Sequence, residues 1–297
     1  MREVLASWRG GIVVELDIRK FFDTLGHKQL REFLGLRVRD GVLLRLIGKW
    51  LNAGVMEQGA VTRTELGTPQ GGVISPLLAN LYLHHVLDKW FAEEVQPRLH
   101  GPAELVRYAD DAVIVCRRLG DAERLMAVLP KRFGRFGLTL HPEKTRLVRF
   151  ERPALFAGKG RDNDKDGGDG AGSFDFLGFT YHWSRSRQGN WVVCRKTAKD
   201  RLARAITRTW TWCRENRHGS LGEQHAALGR KMQRHYAYYG VTGNMRSLKQ
   251  FAYKVAESWR YWLARRSGHA QRTWEWFHHL LRRWPLPGPR IVHRATW

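Results

Sequence analysis

The sequence has few cysteines, few acidic residues for its length and no long hydrophobic run. Its three cysteines, Cys116, Cys194 and Cys213, lie far apart and form neither a disulfide framework nor a CxxC metal site, which is typical of a reducing compartment. No apolar run approaches the length that spans a bilayer, and the N-terminus lacks the apolar region of a signal peptide. These absences predict a cytoplasmic protein without a membrane anchor.

Basic residues greatly outnumber acidic ones. The 297 residues include 51 Lys and Arg against 28 Asp and Glu, which gives a formal net charge of +23. This excess predicts a polyanionic partner, with a nucleic acid favoured and an anionic membrane surface as the rival. Because 43% of the residues are hydrophobic and 11% are aromatic, the chain can also build a folded core.

The basic charge is concentrated in the last third of the chain. Residues 195–297 contain 22 Lys and Arg against 5 acidic residues, and eight of the thirteen tryptophans. The shift predicts a mixed α/β domain over residues 1–190 and a basic helical domain over 191–297. Residues 158–173, "GKGRDNDKDGGDGAGS", begin like an EF-hand loop but have Ser173 where a bidentate Glu belongs, so they are predicted to form a flexible loop.

Strand and helix patterns alternate in the first 190 residues. "GIVVELDI" predicts a strand, and "HKQLREFLGL" and "DGVLLRLIGKWLNAG" predict helices. Ser75 and Pro76 predict a helix start with serine as the N-cap, and Pro130 is expected to kink or break a later helix. Short strands, among them "LTLH", "TRLVRF" and "NWVVCR", close this part.

Three aspartates stand at strand ends in this first part. Asp17 ends an apolar strand, where it could cap the following helix, and Asp110 and Asp111 lie at the tip of the predicted hairpin "LVRYADDAVIVC", where Asp is a common turn residue. Together, three carboxylates from two strands form the hard, oxygen-rich site that Mg²⁺ requires. Two such ions can support in-line phosphoryl transfer on a nucleic acid.

Five motifs in a fixed order then suggest a family. "DIRKFFD", "GTPQGGVISPLLANLYL", "RYADD", "GLTLHPEKT" and "FDFLGF" resemble the palm motifs of reverse transcriptases, specifically those of bacterial group II intron reverse transcriptase–maturases. The resemblance implies an α/β (α+β) right-hand polymerase palm with an antiparallel catalytic sheet, followed by an all-helical thumb/maturase domain. It also implies RNA-directed DNA synthesis with two Mg²⁺ ions.

The resemblance assigns the catalytic residues. It implies that Asp17, Asp110 and Asp111 hold the two metal ions and that the carbonyl of Ile18 is a further ligand. Lys144 matches a lysine near the triphosphate that protonates the pyrophosphate leaving group, and a solvated surface lysine is the alternative.

The resemblance also assigns the nucleotide-binding residues. Phe22 matches a steric gate that excludes the 2′-hydroxyl of a ribonucleotide, and the alternative is that Phe21 and Phe22 are both core residues. Pro69, Gln70 and Gly71 match the loop beneath the incoming nucleotide and the template base, where glycine permits close backbone approach.

Two further sets of residues match nucleic-acid contacts. Phe176, Leu177 and Gly178 match a hairpin that grips the primer end, with a plain core strand as the alternative. The helical region that follows resembles a thumb and maturase region and interleaves basic and aromatic residues, a composition suited to RNA. Most of its tryptophans are expected in the helical core. The proposed RNA-binding residues are Arg201, Arg204 and Arg208.

The family implies intron RNA as template, a DNA primer or target, and deoxynucleoside triphosphates as partners. Met1 lies sixteen residues before Asp17, so the fingers segment that precedes the first catalytic strand in the family is expected to be largely absent. Polymerisation by this chain alone therefore does not follow from the motifs, and two alternatives remain. One is an RNA-binding maturase remnant that does not polymerise, and the other is an inactive pseudogene product.

Overall fold

The chain folds into two compact units. The computed structural model describes residues 1–52, 55–57, 60–62, 74–153, 172–186, 188–266 and 273–294. The units are Met1–Phe174 and Asp175–Trp297, and the division falls sixteen residues before the boundary expected from composition. All of the predicted loop 158–173 except its last two residues lies outside the described residues.

The first unit mixes helices with antiparallel strands, as the sequence predicted. The helix that begins at Ser75 continues through π-helical segments at His84–Asp88 and Phe91–Val95 and a 3-10 turn at Gln96–Arg98. In chain order the elements of this unit are α1 (Arg2–Ser7), β1 (Gly10–Leu16), β2 (Ile18–Arg19), α2 (Phe21–Thr24), α3 (His27–Gly35), α4 (Gly41–Asn52), β3 (Val55–Glu57), β4 (Ala60–Thr62), α5 (Ser75–Leu83), β5 (Ala103–Tyr108), β6 (Asp111–Cys116), α6 (Leu119–Gly134), β7 (Thr139–Leu140) and β8 (Arg146–Glu151).

A four-stranded antiparallel sheet organises this unit, in the order β5-β6-β1-β8. Strand β1 is central, and Ile12, Val13 and Val14 are almost completely buried. One face of β1, with Ile12 and Val14, belongs to the main core that the helices build. Each such side chain contributes roughly 1.5–3 kcal/mol through burial, which fixes the strand and so the place where it ends.

The prediction that Ser75 caps a helix was wrong, and the expected break at Pro130 does not occur, while a kink there stays a prediction. Helix α5 begins at Ser75, so Ile74 occupies the N-cap position, and its side chain makes no capping hydrogen bond. Ser75 is instead buried, within the first turn. Helix α6 runs unbroken through Pro130, whose side chain is exposed, so the ring does not end the helix.

The second unit begins with strands and continues with helices. Its three-stranded sheet has the order β11 (Trp191–Thr197), β10 (Phe179–Arg185) and β9 (Phe174–Phe176), and the last of these strands starts at the last residue of the first unit. Trp259 is fully buried in the helical core, and five more tryptophans pack against that core, as expected. No helix among the described residues is both long and apolar enough to cross a membrane. The elements are β9 (Phe174–Phe176), β10 (Phe179–Arg185), β11 (Trp191–Thr197), α7 (Lys199–Glu215), α8 (Leu221–Tyr239), α9 (Met245–Leu263) and α10 (Trp274–Arg283).

Candidate active site

Asp17 directly follows β1, and Asp111 begins the neighbouring strand β6, at the same end of the sheet. Strands β1 and β6 are antiparallel, and their last recorded pair joins Leu16 to Ala112. Continuing this register by one residue places Asp17 opposite Asp111. Side chains in that relation have Cβ atoms about 5 Å apart on one face of a sheet. The sequence alone did not supply this register.

The predicted hairpin is confirmed and carries Asp110 in its turn. Strands β5 and β6 pair up to Tyr108 and Asp111, so Ala109 and Asp110 form a two-residue turn. Ala109 has a left-handed φ of 54°. Asp110 is half-buried and Asp111 is exposed, so both carboxylates can be reached from solvent.

The segment that contains Lys144 wraps around Asp17. The Nζ atom of Lys144 lies 3.1 Å from Oδ2 of Asp17. The carbonyl of Asp17 accepts a hydrogen bond of 2.8 Å from the N–H of His141, and its own N–H donates to Oγ1 of Thr145 at 3.4 Å. Two predicted catalytic residues are therefore in contact, and the same short segment holds both the backbone and the side chain of Asp17.

The carboxylates suit a hard metal ion by their chemistry, although they do not form a complete cage. No group of three or more His, Cys, Asp or Glu side chains in the described part of the chain is arranged to hold a metal ion. Carboxylate oxygens are the donors that Mg²⁺ takes together with water and substrate phosphates, and the assignment of Asp17, Asp110 and Asp111 as metal ligands stays a prediction.

The residues after Asp17 form a short strand and a helical turn. Ile18 begins β2, opposite Leu140, and its side chain is buried. Phe21 is a core residue, whereas Phe22 is half-buried and packs against the core from outside. The ring centroids of the two phenylalanines are 5.4 Å apart. The roles of Phe22 and of the Ile18 carbonyl stay predictions.

The predicted loop residues Pro69, Gln70 and Gly71 lie outside the described residues. Helix α5, which follows this loop, is described from its first residue. The role assigned to the loop stays a prediction.

In the second unit, the residues predicted to grip the primer form a tight turn. Leu177 and Gly178 both have left-handed φ values, 50° and 76°. The hydroxyl of Tyr238 donates to the carbonyl of Leu177 at 2.9 Å, and its ring stacks on Phe179. Phe176 is buried, as the core-strand alternative also requires, so its functional role stays a prediction.

The three arginines predicted to bind RNA are exposed along α7. Asp200 contacts two of them, with Oδ2 at 3.6 Å from Nε of Arg201 and 2.5 Å from Nη2 of Arg204. Arg208 forms no ion pair with a described residue. Since exposed ion pairs contribute little, a phosphate can displace Asp200 at small cost.

Sequence reasoning missed Arg107. It precedes the turn in β5, its side chain is 13% exposed, and its Nη2 atom lies 2.6 Å from the carboxylate of Asp88. It also donates to the carbonyl of Ala109 at 2.7 Å. An arginine inside an apolar hairpin was a usable signal, because a buried charge requires partners.

Comparisons with known proteins agree on one family. The model of the family described as "Reverse transcriptase (RNA-dependent DNA polymerase)" matches residues 3–181. The group II intron-encoded protein LtrA of Lactococcus lactis subsp. cremoris is 47% identical over 77 residues, which are 26% of this chain and 13% of that protein. An uncharacterized 91 kDa protein in the cob intron of Schizosaccharomyces pombe is 22% identical over 263 residues, or 70% of this chain and 31% of that protein.

Among solved structures, telomerase from Candida albicans in complex with a TWJ fragment of telomeric RNA matches 95% of this chain and 48% of its own. The identity is 12% and the TM-score 0.45. The chain thus spans less than half the length of each of these three proteins.

Proposed function

The chain belongs to the reverse transcriptase (RNA-dependent DNA polymerase) family, and from this premise we propose that it is the polymerase and maturase of a group II intron. Its similarity to intron-encoded proteins supports this assignment. The single observation that supports the catalytic part is the pairing of β1 with β6, which ends at Leu16 and Ala112, one residue before Asp17 and one residue after Asp111. In this proposal the template is intron RNA, the primer is DNA, and the location is the cytoplasm.

The proposed reaction is nucleotidyl transfer. The 3′-oxygen of the primer forms a bond to the α-phosphorus of a deoxynucleoside triphosphate, and the bond from that phosphorus to pyrophosphate breaks. Asp17, Asp110 and Asp111, with the carbonyl of Ile18, would hold two Mg²⁺ ions. The chemistry that such ions would supply when bound is activation of the attacking hydroxyl and stabilisation of the leaving oxygen. Lys144 would give its proton to the pyrophosphate oxygen, which its place beside Asp17 supports.

We propose that other residues of the first unit select the nucleotide. Phe22, five residues after Asp17, would exclude the 2′-hydroxyl of a ribonucleotide. Residues 69–71 would support the base and its template partner. The exposure of Phe22 beyond the buried Phe21 supports its role, since a gate must reach the bound sugar.

We assign the first unit to the palm and the second to the thumb and maturase region. Leu177 and Gly178 would hold the primer end, which their strained turn supports, because backbone strain concentrates at functional sites. Arg201, Arg204 and Arg208 would bind phosphates of the intron RNA, as their exposure on α7 supports.

Primer extension tests this proposal. On a poly(rA)/oligo(dT) template with Mg²⁺, the wild-type chain should add deoxythymidylate, and Asp110→Ala should lower the rate by at least about 10²-fold. Glu104→Gln is the matched control, because Glu104 is an exposed acid on the same hairpin. Extension that survives Asp110→Ala, or that falls equally in Glu104→Gln, contradicts the assignment.

A second candidate function is RNA binding without polymerisation. The observation that favours it is the net charge of +17 over residues 195–297, which does not depend on the aspartates. It predicts a wild-type chain that extends no primer and yet binds RNA in a salt-sensitive manner. Measuring extension and RNA binding on the same preparation separates the two candidates.

A further inference from the structure

We propose that Arg107 is a positioning residue for the proposed metal site: it holds the hairpin turn so that Asp110 and Asp111 can reach the ions. This inference rests on the proposed function and concerns a residue to which neither the resemblance nor the comparisons assign a role. Its basis is a set of four hydrogen bonds from one guanidinium group.

The guanidinium group of Arg107 connects the turn to a helix. Its Nε and Nη2 atoms donate to the two carboxylate oxygens of Asp88 at 2.7 and 2.6 Å. Its Nη1 atom donates to Oδ1 of Asn80 at 2.9 Å and to the carbonyl of Ala109 at 2.7 Å. The bidentate pair between Arg107 and Asp88 fixes the plane of the guanidinium group, so the hydrogen bond to the carbonyl of Ala109 has a defined direction.

The turn needs such support. Ala109 has a φ of 54°, a conformation that costs a residue with a Cβ atom roughly 1 kcal/mol or more. Two-residue hairpin turns with positive φ favour Gly or Asn at that position. Alanine is not favoured at positive φ, so a contact from outside the turn is needed to stabilise this conformation. Arg107 supplies that contact by donating to the carbonyl of Ala109.

The helix is adapted to supply both of its partners. In a regular α-helix, residues 80 and 88 would point about 80° apart around the axis. The π-helical segment His84–Asp88 lies between them, and the one extra residue of a π turn reduces this offset to about 20°. Asn80 and Asp88 therefore share a face, and a single guanidinium group can bond to both.

The test compares Arg107→Lys with a matched control, Arg117→Lys. Arg117 lies at the end of the same hairpin that is opposite the turn, and its Nη1 atom donates to the carbonyl of Trp8. Lysine keeps the charge in both variants and loses the guanidinium fork. The readouts are Mn²⁺ affinity of the protein alone, the Mg²⁺ concentration for half-maximal extension, and the melting temperature.

Arg107→Lys should raise the dissociation constant for Mn²⁺ and the Mg²⁺ requirement by about tenfold, as losses around metal ligands do. Arg117→Lys should leave both near the wild-type values, even where the two variants lower the melting temperature equally. Equal metal affinities for the two variants overturn the role of Arg107. Asp110→Ala, measured in parallel, reports on the metal site itself: if it leaves Mn²⁺ affinity unchanged, the proposed function fails at that point and the role of Arg107 with it.

A different observation carries a second proposal: we infer that a basic groove on the first unit binds the phosphodiester backbone of RNA. The groove, of about 320 Å³, lies between residues 90–99 and α6. Apolar side chains such as Trp90 and Leu125 form part of its lining. Its charged lining consists of Arg98, Arg124, Lys131, Arg132, Arg135 and Glu94.

The charges of this groove leave room for an anion. Arg124 is paired with the buried carboxylate of Asp121. Arg98, Lys131 and Arg135 are exposed, and none of them forms an ion pair with a described residue. Three unpaired cations around one concave surface complement a chain of phosphates, and a protein proposed to act on RNA encounters that polyanion.

The test measures binding of a labelled 20-nucleotide oligo(U) RNA over a salt series. A groove variant, Arg98→Ala/Lys131→Ala/Arg135→Ala, should reduce the slope of log affinity against log salt by about 2. A control variant removes three exposed cations elsewhere in the same unit, Lys28→Ala/Arg39→Ala/Lys49→Ala, and should leave the slope unchanged. Equal reductions in the two variants overturn the groove proposal. A wild-type chain that binds no RNA overturns both the groove and the proposed RNA-binding role.

Discussion

Asp17, which directly follows β1, and Asp111, which begins β6, carry like charges that repel each other, and Lys144 offsets part of that repulsion. Its ammonium lies 3.1 Å from the carboxylate of Asp17, with side chains 62% and 38% exposed. Solvent screens such a pair, so it contributes little to the free energy of folding. The contact thus has a small structural value, and an effect of Lys144 on catalysis can be measured apart from folding.

Lys144→Ala and Lys144→Arg should therefore change stability by less than about 0.5 kcal/mol. Both should slow single-nucleotide incorporation on the order of 10²-fold, because arginine keeps the charge beside Asp17 and yet does not release a proton. Chemically quenched single-nucleotide incorporation assays measure the rate, and thermal melting measures the stability. A wild-type rate in Lys144→Arg would show that charge alone suffices at this position.

His235 gives the second unit a pH dependence of its own. Burial lowers its pKa to about 4, and its ring stacks on Phe251 with centroids 3.8 Å apart. The unfolded chain takes up a proton near pH 6.5, whereas the folded chain does so only near pH 4. Stability is therefore complete above pH 6.5 and declines as pH falls toward 4, by about 1 kcal/mol at pH 5.5.

His235→Phe keeps an aromatic ring beside Phe251 and removes the titration. Urea unfolding at pH 7.5 and pH 5.5 should show a loss in wild type that exceeds the loss in the variant by about 1 kcal/mol. Other histidines contribute equally to both proteins, so the difference between the two losses excludes them. One of these is His182, because burial lowers its pKa as well. An identical loss in both proteins contradicts the assignment to His235.

At the scale of elements, one buried asparagine joins a strand to two helices. Asn244 has no exposed surface. Its Oδ1 atom accepts from the N–H of Thr197 at 2.9 Å, and its Nδ2 atom donates to Oγ1 of Thr197 and to the carbonyl of Tyr239, both at 2.8 Å. It thereby links the end of β11 to the end of α8 and the start of α9.

Asn244→Asp should lower the free energy of unfolding by roughly 3 kcal/mol, because an oxygen replaces the donor that faces two acceptors and a charge is buried. Asn216→Asp is the matched control, since the exposed Asn216 donates to the carbonyl of Trp212 at 2.9 Å. Denaturant unfolding checks both. Similar losses at the two sites would mean that burial is not what makes Asn244 important.

Elements with strong local patterns were predictable, and elements set by distant contacts were not. Continuous apolar runs identified β1 and the hairpin, whose tip residues follow from turn chemistry. The sequence did not predict that Asn80 and Asp88 hold Arg107 beside the hairpin turn. These two residues are eight positions apart, and a regular helix would place them on different faces. Similarly, the burial of Ser75 outweighed its preference for the N-cap, which only the packed structure reveals.

At the scale of the whole molecule, the charge predicts how the chain meets RNA. The net charge is +23, and residues 195–297 carry +17 of it. If about six phosphates are contacted, raising KCl from 50 to 200 mM should weaken oligo(U) binding on the order of 10²-fold. Fluorescence anisotropy measures this. Asp110→Ala should bind with the same salt dependence, and a salt-independent affinity would contradict electrostatic RNA binding.

The π-helical segment makes the hairpin turn tolerant of the loss of one residue and sensitive to the loss of two. Removing one residue, such as His84, would let the segment become regular α-helix, and Asn80 and Asp88 would then be seven positions apart and still about 20° apart around the axis. Asp88 would therefore still face Arg107. Removing two residues would rotate Asp88 by about 100° more relative to Asn80, so the loss of two codons in this helix would disturb the turn that holds Asp110.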